Sequence, residues 1–263
     1  RGLVGDQTPA PTNFKLHIMA HTILIPDETR IRMATYLAEL GRGDATPGQH
    51  LAKAIGDSDF SVMDESGFLN ALLNTKIPQI FAESSVAGDG SDWNLTELGL
   101  LGDISVAVPV TVFDNGNHTV PAPHEKPFPG TLVFTPGALL RNGKGKPPAD
   151  RAEVIDRDEK FDPEGYYRLY ERRLRPVFRH VDDTAAEMGR SALITVPGLG
   201  CGQFAGPFAG QLGAALQSVL ERFLHEHGGR FPRIRAVYYD PFKEWANRRG
   251  QIHGISFLTR PLL

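Results

Sequence analysis

The fold turns on residues 191–206, SALITVPGLGCGQFAG. A short apolar run, Ala192 to Val196, stops at Pro197 and gives way to glycines at 198, 200, 202 and 206. Apolar residues then recur at three- and four-residue spacing: Phe208, Leu212, Ala215, Leu216, Val219, Leu220 and Phe223. The pattern is a strand, a glycine loop and a helix expected over about 207–224 with Pro207 in its first turn. Glycine has no Cβ, so such a loop can turn several main-chain N–H groups toward one point and let a ligand approach closely. A helix starting at Pro207 would set its positive dipole end beside the loop, and the expected ligand is an anion such as phosphate. The plainer alternative is a connection that binds nothing, and four glycines within residues 198–206 weigh against it.

Composition sets the bounds. With 263 residues, 41% of them hydrophobic and 22% charged, the chain can bury a full core as one large domain or one domain with an elaboration. A net charge of −3 gives no reason to expect nucleic acid as the main partner. The single cysteine, Cys201, excludes an intramolecular disulfide and suits a reducing compartment, so a cytoplasmic setting is expected. No apolar run reaches the roughly 18 residues that would span a bilayer, so no membrane association is expected. Nothing speaks to oligomeric state.

Residues 1–85 read as a mostly helical N-terminal extension packed on an α/β domain of residues 86–263. Asp27 or Thr29 can cap a helix carrying Met33, Ala34, Leu37 and Leu40 and stopped by Gly41, and Gln49–Ile55 and Glu65–Leu73 look like two more. His17 and His21 could share a metal only if helical and only with a third ligand that no spacing implies; packing or exposure is the expectation, and no metal is. Gly99 to Phe113 reads as one buried strand ending in Asp114-Asn115-Gly116-Asn117. Asn-Gly is a common hairpin turn, yet Asp114 and Asn117 stand at the mouth of a buried strand, where α/β domains keep chemistry.

A second strand covers Thr131 to Phe134, and residues 141–165 read as a long surface loop. Tyr166 to Phe178 is helical, with Arg172, Arg173 and Arg175 as a solvated face and Pro176 as a kink or an end. Arg235 to Tyr239 is a further strand, leading into Asp240 and Phe242, and Ile252 to Leu258 adds an edge strand. Tyr239 and Phe242 either stack on a nucleobase or close the core. Strands alternating with helices call for a mixed, mostly parallel sheet with helices on both faces.

On these residues a resemblance can be stated. VPGLGCGQFAG resembles the diphosphate loop of macrodomains, with Gly198, Gly200, Cys201, Gly202 and Gln203 on the loop and Phe204 matching the aromatic beside the distal ribose. Gly102-Asp103-Ile104-Ser105 is similar to the family's Gly-Asp-Ile-Thr motif, whose Asp holds the adenine amino group. Asp114 to Asn117 stands where the family keeps Asn-Ala-Ala-Asn, and Asn117 falls on the last Asn. Tyr239 matches the adenine-stacking aromatic and Asp240 the residue after it, over a match covering roughly residues 95–250. The Gly-Gly-Gly loop that normally follows the Asn motif is replaced by His118 to His124, and the Gln-Glu-Glu signature of poly(ADP-ribose) glycohydrolases is absent.

The resemblance therefore implies a macrodomain-like three-layer αβα sandwich of the divergent bacterial-effector type, acting in the cytoplasm, including that of a host cell. It implies removal of mono-ADP-ribose from a modified protein side chain, with ubiquitin one such carrier. ADP-ribose is ligand and product and no cofactor is called for. Asp114, Asp103 and Asn117 are the residues expected to carry chemistry. Asp114 would activate water or steady positive charge at the anomeric carbon, while Asp103 and Tyr239 or Phe242 would hold the adenine. Two other classes remain: a reader that binds ADP-ribose without cutting it, and a thiol enzyme using a Cys201 of lowered pKa at a helix N-terminus.

Overall fold

The computed structural model describes residues 21–75, 92–117, 124–141, 148–241 and 247–259. They fall into two compact units, one built on Val108–Leu132 and the other on Ile23–Ala107 together with Val133 onward. The boundary expected at residue 85 lies outside the described residues.

Among the described residues the larger unit has two large apolar cores and a small third cluster of Leu24, Ala107 and Val177. The first is formed by helices α1 (Asp27–Arg42), α2 (Gln49–Ile55), α3 (Glu65–Asn74) and α4 (Leu95–Asp103). Met33, Tyr36, Leu51, Phe68, Leu72, Leu100 and Leu101 meet there almost without exposure. Helix α1 runs through Gly41 and ends at Gly43 in the left-handed conformation, with Pro26 and no side-chain cap at its start. Thr29, expected to cap that helix, is instead buried and donates to Asp103.

Helix α4 corrects the expectation of one strand from Gly99 to Phe113. Asn94 and Glu97 form a capping box, each side chain satisfying the other's main-chain N–H, and this starts a helix that runs to Asp103 before strand β2 (Ser105–Val112) begins. Asn-Leu-Thr-Glu was legible as a helix start. The apolar run alone could not separate a buried helix turn from a buried strand. Glu97 is fully buried, where it also accepts from Tyr36 Oη at 2.9 Å and Gly48 N at 2.8 Å, tying α4 to α1 and α2.

The second core lies between α6 (Pro163–Glu187), α7 (Leu212–His227) and a sheet. That sheet has the order β4 (Ala192–Pro197), β5 (Ile234–Asp240), β7 (Ile255–Thr259), β6 (Arg248–Ile252). The pairs β4–β5 and β5–β7 are parallel, and β6–β7 is antiparallel. One edge strand was expected from Ile252 to Leu258. A hairpin stands there because His253 and Gly254 both take positive φ (50° and 80°), the geometry of a tight two-residue turn. Phe178, Phe223 and Phe231 pack together in this core, with Phe178 and Phe223 at 4.8 Å between centroids. A second sheet has the order β1 (Thr22–Leu24), β2, β3 (Phe128–Phe134). The chain is thus an α/β fold of mixed sheets and helices, in keeping with a three-layer αβα sandwich.

Two expectations for the middle of the chain are corrected. The supposed surface loop holds a short helix, α5 (Arg151–Val154), and supplies the buried Asp150. Helix α6 passes through Pro176 without ending.

Candidate functional site

The glycine loop follows β4 as expected, but the long helix does not begin at Pro207. Residues 203–208 form a 3-10 turn broken at Gly206 (φ 56°, ψ −127°), and α7 starts only at Leu212. The dipole end anticipated at Pro207 is therefore not beside the loop. What the loop offers is its own main chain. Among the described residues, no acceptor meets the N–H groups of Gly202, Gln203 and Phe204, three amides in succession. The amides of Cys201 and Ala205 are satisfied within the loop, by Gly198 O at 3.0 Å and Gly202 O at 3.1 Å.

The loop is clamped on one side by the chain leaving β3. Leu140 N donates to Phe204 O at 3.0 Å. A Cβ placed on Gly137 would lie 2.2 Å from Gly200 N, so the two strand ends touch backbone to backbone and neither position has room for a side chain. From beneath, Tyr170 Oη donates to Leu199 O at 2.7 Å and accepts from Ala138 N at 2.9 Å. Cys201 is 3% exposed, and burial outweighs the opposing influence of the neighbouring Tyr239 hydroxyl and pushes its thiol up to about 11. A lowered pKa was expected for a thiol nucleophile; desolvation gives the reverse, so at neutral pH the group is a neutral thiol packed under the loop.

Asp103 is not free to hold an adenine. Its side chain is 1% exposed and both oxygens are engaged. Oδ2 accepts from Thr29 Oγ1 (2.9 Å), Arg32 Nη1 (3.0 Å) and Arg172 Nε (2.9 Å). Oδ1 accepts from Arg173 Nε (3.0 Å) and Arg172 Nη2 (3.3 Å). Burial by itself would raise this carboxyl's pKa, but the charges and hydrogen bonds of Arg173 and Arg172 outweigh it and hold the group below its ordinary value.

Arg173, fully buried, continues to Gly137 O at 3.0 Å and to Asp150 Oδ1 at 2.8 Å, and Arg172 forks onto Glu153 at 2.7 and 2.8 Å. The reading of Arg172 and Arg173 as a solvated face is corrected accordingly. A signal existed: Arg173 falls three after Tyr170 and four before Val177, on the buried stripe of its helix. Asp150 had no local signal, because only the fold brings it beneath Leu139, whose N–H it accepts at 2.7 Å.

Tyr239 is likewise corrected. It has no exposure, and its hydroxyl donates to Gly213 O at 2.7 Å, so it closes the core instead of stacking on a ligand. Asp240 is 6% exposed at the carboxyl end of β5, in register with Pro197 of β4. Phe242 lies outside the described residues.

Asp114 and Asn117 belong to the smaller unit. Asp114 Oδ1 accepts from Gly116 N at 2.9 Å and Oδ2 from His124 N at 3.3 Å, while Asn115 Oδ1 accepts from Asn117 N at 3.0 Å. Gly116 has φ 72°. The segment is thus an Asx-stabilised turn presenting a half-buried carboxylate and an exposed Asn117.

A groove of about 710 Å³ lies elsewhere, between the N-terminal end of α1 and the middle of α6. Its arginines are largely neutralised in place, Arg30 by Glu65, Arg175 by Glu28 and Glu171, and Arg179 by Asp183, so it has little charge to spend on a ligand. Among the described residues no cluster of three or more metal-ligating side chains occurs, and no helix is long and apolar enough to cross a membrane.

The family model of the macrodomain effector MavL matches residues 21–263. No curated protein sequence matches the chain. The family match spans the α/β core, the glycine loop and the helical layer before them alike. The chain therefore belongs to the MavL family of macrodomain effectors, a membership that points to binding or processing of ADP-ribose.

Proposed function

We propose that this chain hydrolyses the bond joining ADP-ribose to a protein side chain. The observation that carries the reading is the row of unengaged amides at Gly202, Gln203 and Phe204, on a loop clamped by the Gly137–Leu140 segment. Ordered N–H groups that meet no acceptor among the described residues suit a diphosphate, which brings several anionic oxygens and releases loop water on binding. Family membership supports the same ligand.

In the proposed reaction a water oxygen attacks the anomeric carbon of the distal ribose and the bond from that carbon to the protein side chain breaks. The water proton passes to the Asp114 carboxylate and from there to the departing side chain, which leaves protonated while the carboxylate is regenerated. Asp114 is the carboxylate proposed for this role, with Asn117 beside it in the same turn. Asp103 has no part in the chemistry, since its lone pairs are committed to arginines. Ubiquitin is the carrier to try first, on the resemblance to effectors that act on it.

Calorimetric titration with ADP-ribose, with AMP and NAD as controls, tests the base of the reading. Submillimolar selective binding is expected, and its absence removes the proposal. Turnover of an ADP-ribosylated protein by the native chain but not by Asp114→Ala, with ADP-ribose binding kept, supports the enzyme. Binding without turnover by the native chain makes it a reader.

A further inference from the structure

We propose that Tyr170 is the positioning residue of the glycine loop, and that its hydroxyl sets the loop's readiness for the diphosphate; this rests on the function proposed above. The hydroxyl bridges two segments distant in sequence, accepting from Ala138 N at 2.9 Å on the chain leaving β3 and donating to Leu199 O at 2.7 Å within the loop. The Leu199 bond lies shortly before Gly202, Gln203 and Phe204 in sequence and the Ala138 bond anchors it to the neighbouring segment, so the hydroxyl fixes the main chain just ahead of the residues that would grip the ligand.

The tyrosine is itself immobilised. It has no exposure, and its ring packs edge-to-face on Tyr166 with centroids 4.8 Å apart. Three residues further along the same helix, Arg173 holds Gly137 O at 3.0 Å and Asp150 Oδ1 at 2.8 Å, while Asp150 Oδ2 holds Leu139 N at 2.7 Å. Helix α6 thus holds Gly137 and Ala138 directly, and Leu139 through Asp150. Of these fastenings, Tyr170 alone also reaches across to the loop. A loop pre-set in this way does not have to be ordered by the ligand, and the saved ordering cost appears as affinity.

The test uses Tyr170→Phe, which removes one oxygen and keeps the ring. Phe223→Leu, in the same core but among Phe178, His227 and Phe231, serves as the control for stability alone. The expected result is an ADP-ribose affinity lowered about tenfold in Tyr170→Phe, the worth of one well-made buried hydrogen bond. Phe223→Leu, though destabilised, should bind within about twofold of the native chain, because truncating a distant core ring acts on global stability and not on the loop. Equal affinities for the native chain and Tyr170→Phe overturn the inference, as does an equal loss in both variants.

Hydrogen exchange on the unliganded proteins tests the same point without the ligand. The amides of Leu140, Cys201 and Ala205 should exchange about tenfold faster in Tyr170→Phe, with those of α7 unchanged. Unchanged loop exchange overturns the inference. Should the native chain fail to bind ADP-ribose while loop exchange still accelerates in Tyr170→Phe, it is the proposed function that falls and the strut that stands.

Discussion

At Asp103, five hydrogen bonds from four residues converge on two oxygens, whereas at Gly202, Gln203 and Phe204 three consecutive amides meet no acceptor among the described residues. Resemblance assigns both stretches to one ligand. What separates them is satisfaction. A carboxylate neutralised by Arg32, Arg172 and Arg173 in a buried site would have to give up charge-assisted bonds to take an adenine amino group, and one neutral hydrogen bond cannot offset that. The loop amides lose only water when an anion arrives. A motif residue therefore keeps its place in the chain while exchanging a ligand-binding role for a structural one.

The comparison can be broken most severely at the hub. Asp103→Ala would leave Arg173 buried with one carboxylate fewer, and the expected loss is about 3–5 kcal/mol of unfolding free energy in a urea titration. A loss under about 1 kcal/mol would mean that the hub is not structural, since buried pairs broken on one side cost far more than that. ADP-ribose affinity, measured where the variant is still folded, should change little; a specific loss of adenine recognition would restore Asp103 to the ligand.

The loop side is broken at Gly137. Gly137→Ala puts a methyl 2.2 Å from Gly200 N, backbone that cannot swing aside. About 1–3 kcal/mol of stability should go with it, together with measurable ADP-ribose binding, because the strand ends must part.

Acid sharpens the contrast. Asp103's pKa is depressed in the folded chain, so its contribution is fully present above the ordinary value near 3.8 and is lost as pH falls through the lower folded value. The native chain should therefore lose stability steeply below about pH 4, and Asp103→Asn should flatten that limb in a pH series of thermal melts. An unaltered limb would place the acid sensitivity elsewhere.

Smaller effects grade the two regions. Arg32 reaches Asp103 from a side chain that is 44% exposed, so Arg32→Ala should cost only about 0.5–1 kcal/mol. Cys201→Ser should leave turnover within about twofold and the native thiol should resist alkylation, since burial keeps it protonated. Rapid labelling of the folded chain would contradict that placement.

Local pattern carried a good part of this fold. The strand–loop order at Ala192–Gly206, the helices at Gln49–Ile55 and Glu65–Asn74, and the strand ending at Asp240 follow from periodicity and turn residues that act within a few positions. Errors arose where a local rule had a local competitor. Gly206 and a second positive-φ glycine, Gly210, interrupt the helix expected from Pro207, and the Asn94–Glu97 capping box claims for a helix the apolar residues read as strand. The Asp114–Asn117 turn was open to either reading from sequence, and its side chain to main chain bonds make it an Asx turn without removing Asp114 from the proposed chemistry.

By itself the sequence determined a glycine loop after a buried strand, an α/β chain, and kinship to macrodomains, because glycine, proline and hydrophobic period act on the backbone residue by residue. Which polar groups are spent and which are left over was decided only by tertiary structure. Asp103 meets Arg173 across seventy residues of chain, and Tyr170 meets Leu199 across twenty-nine. No sequence window spans those separations, and satisfaction of a buried charge is a property of everything that surrounds it.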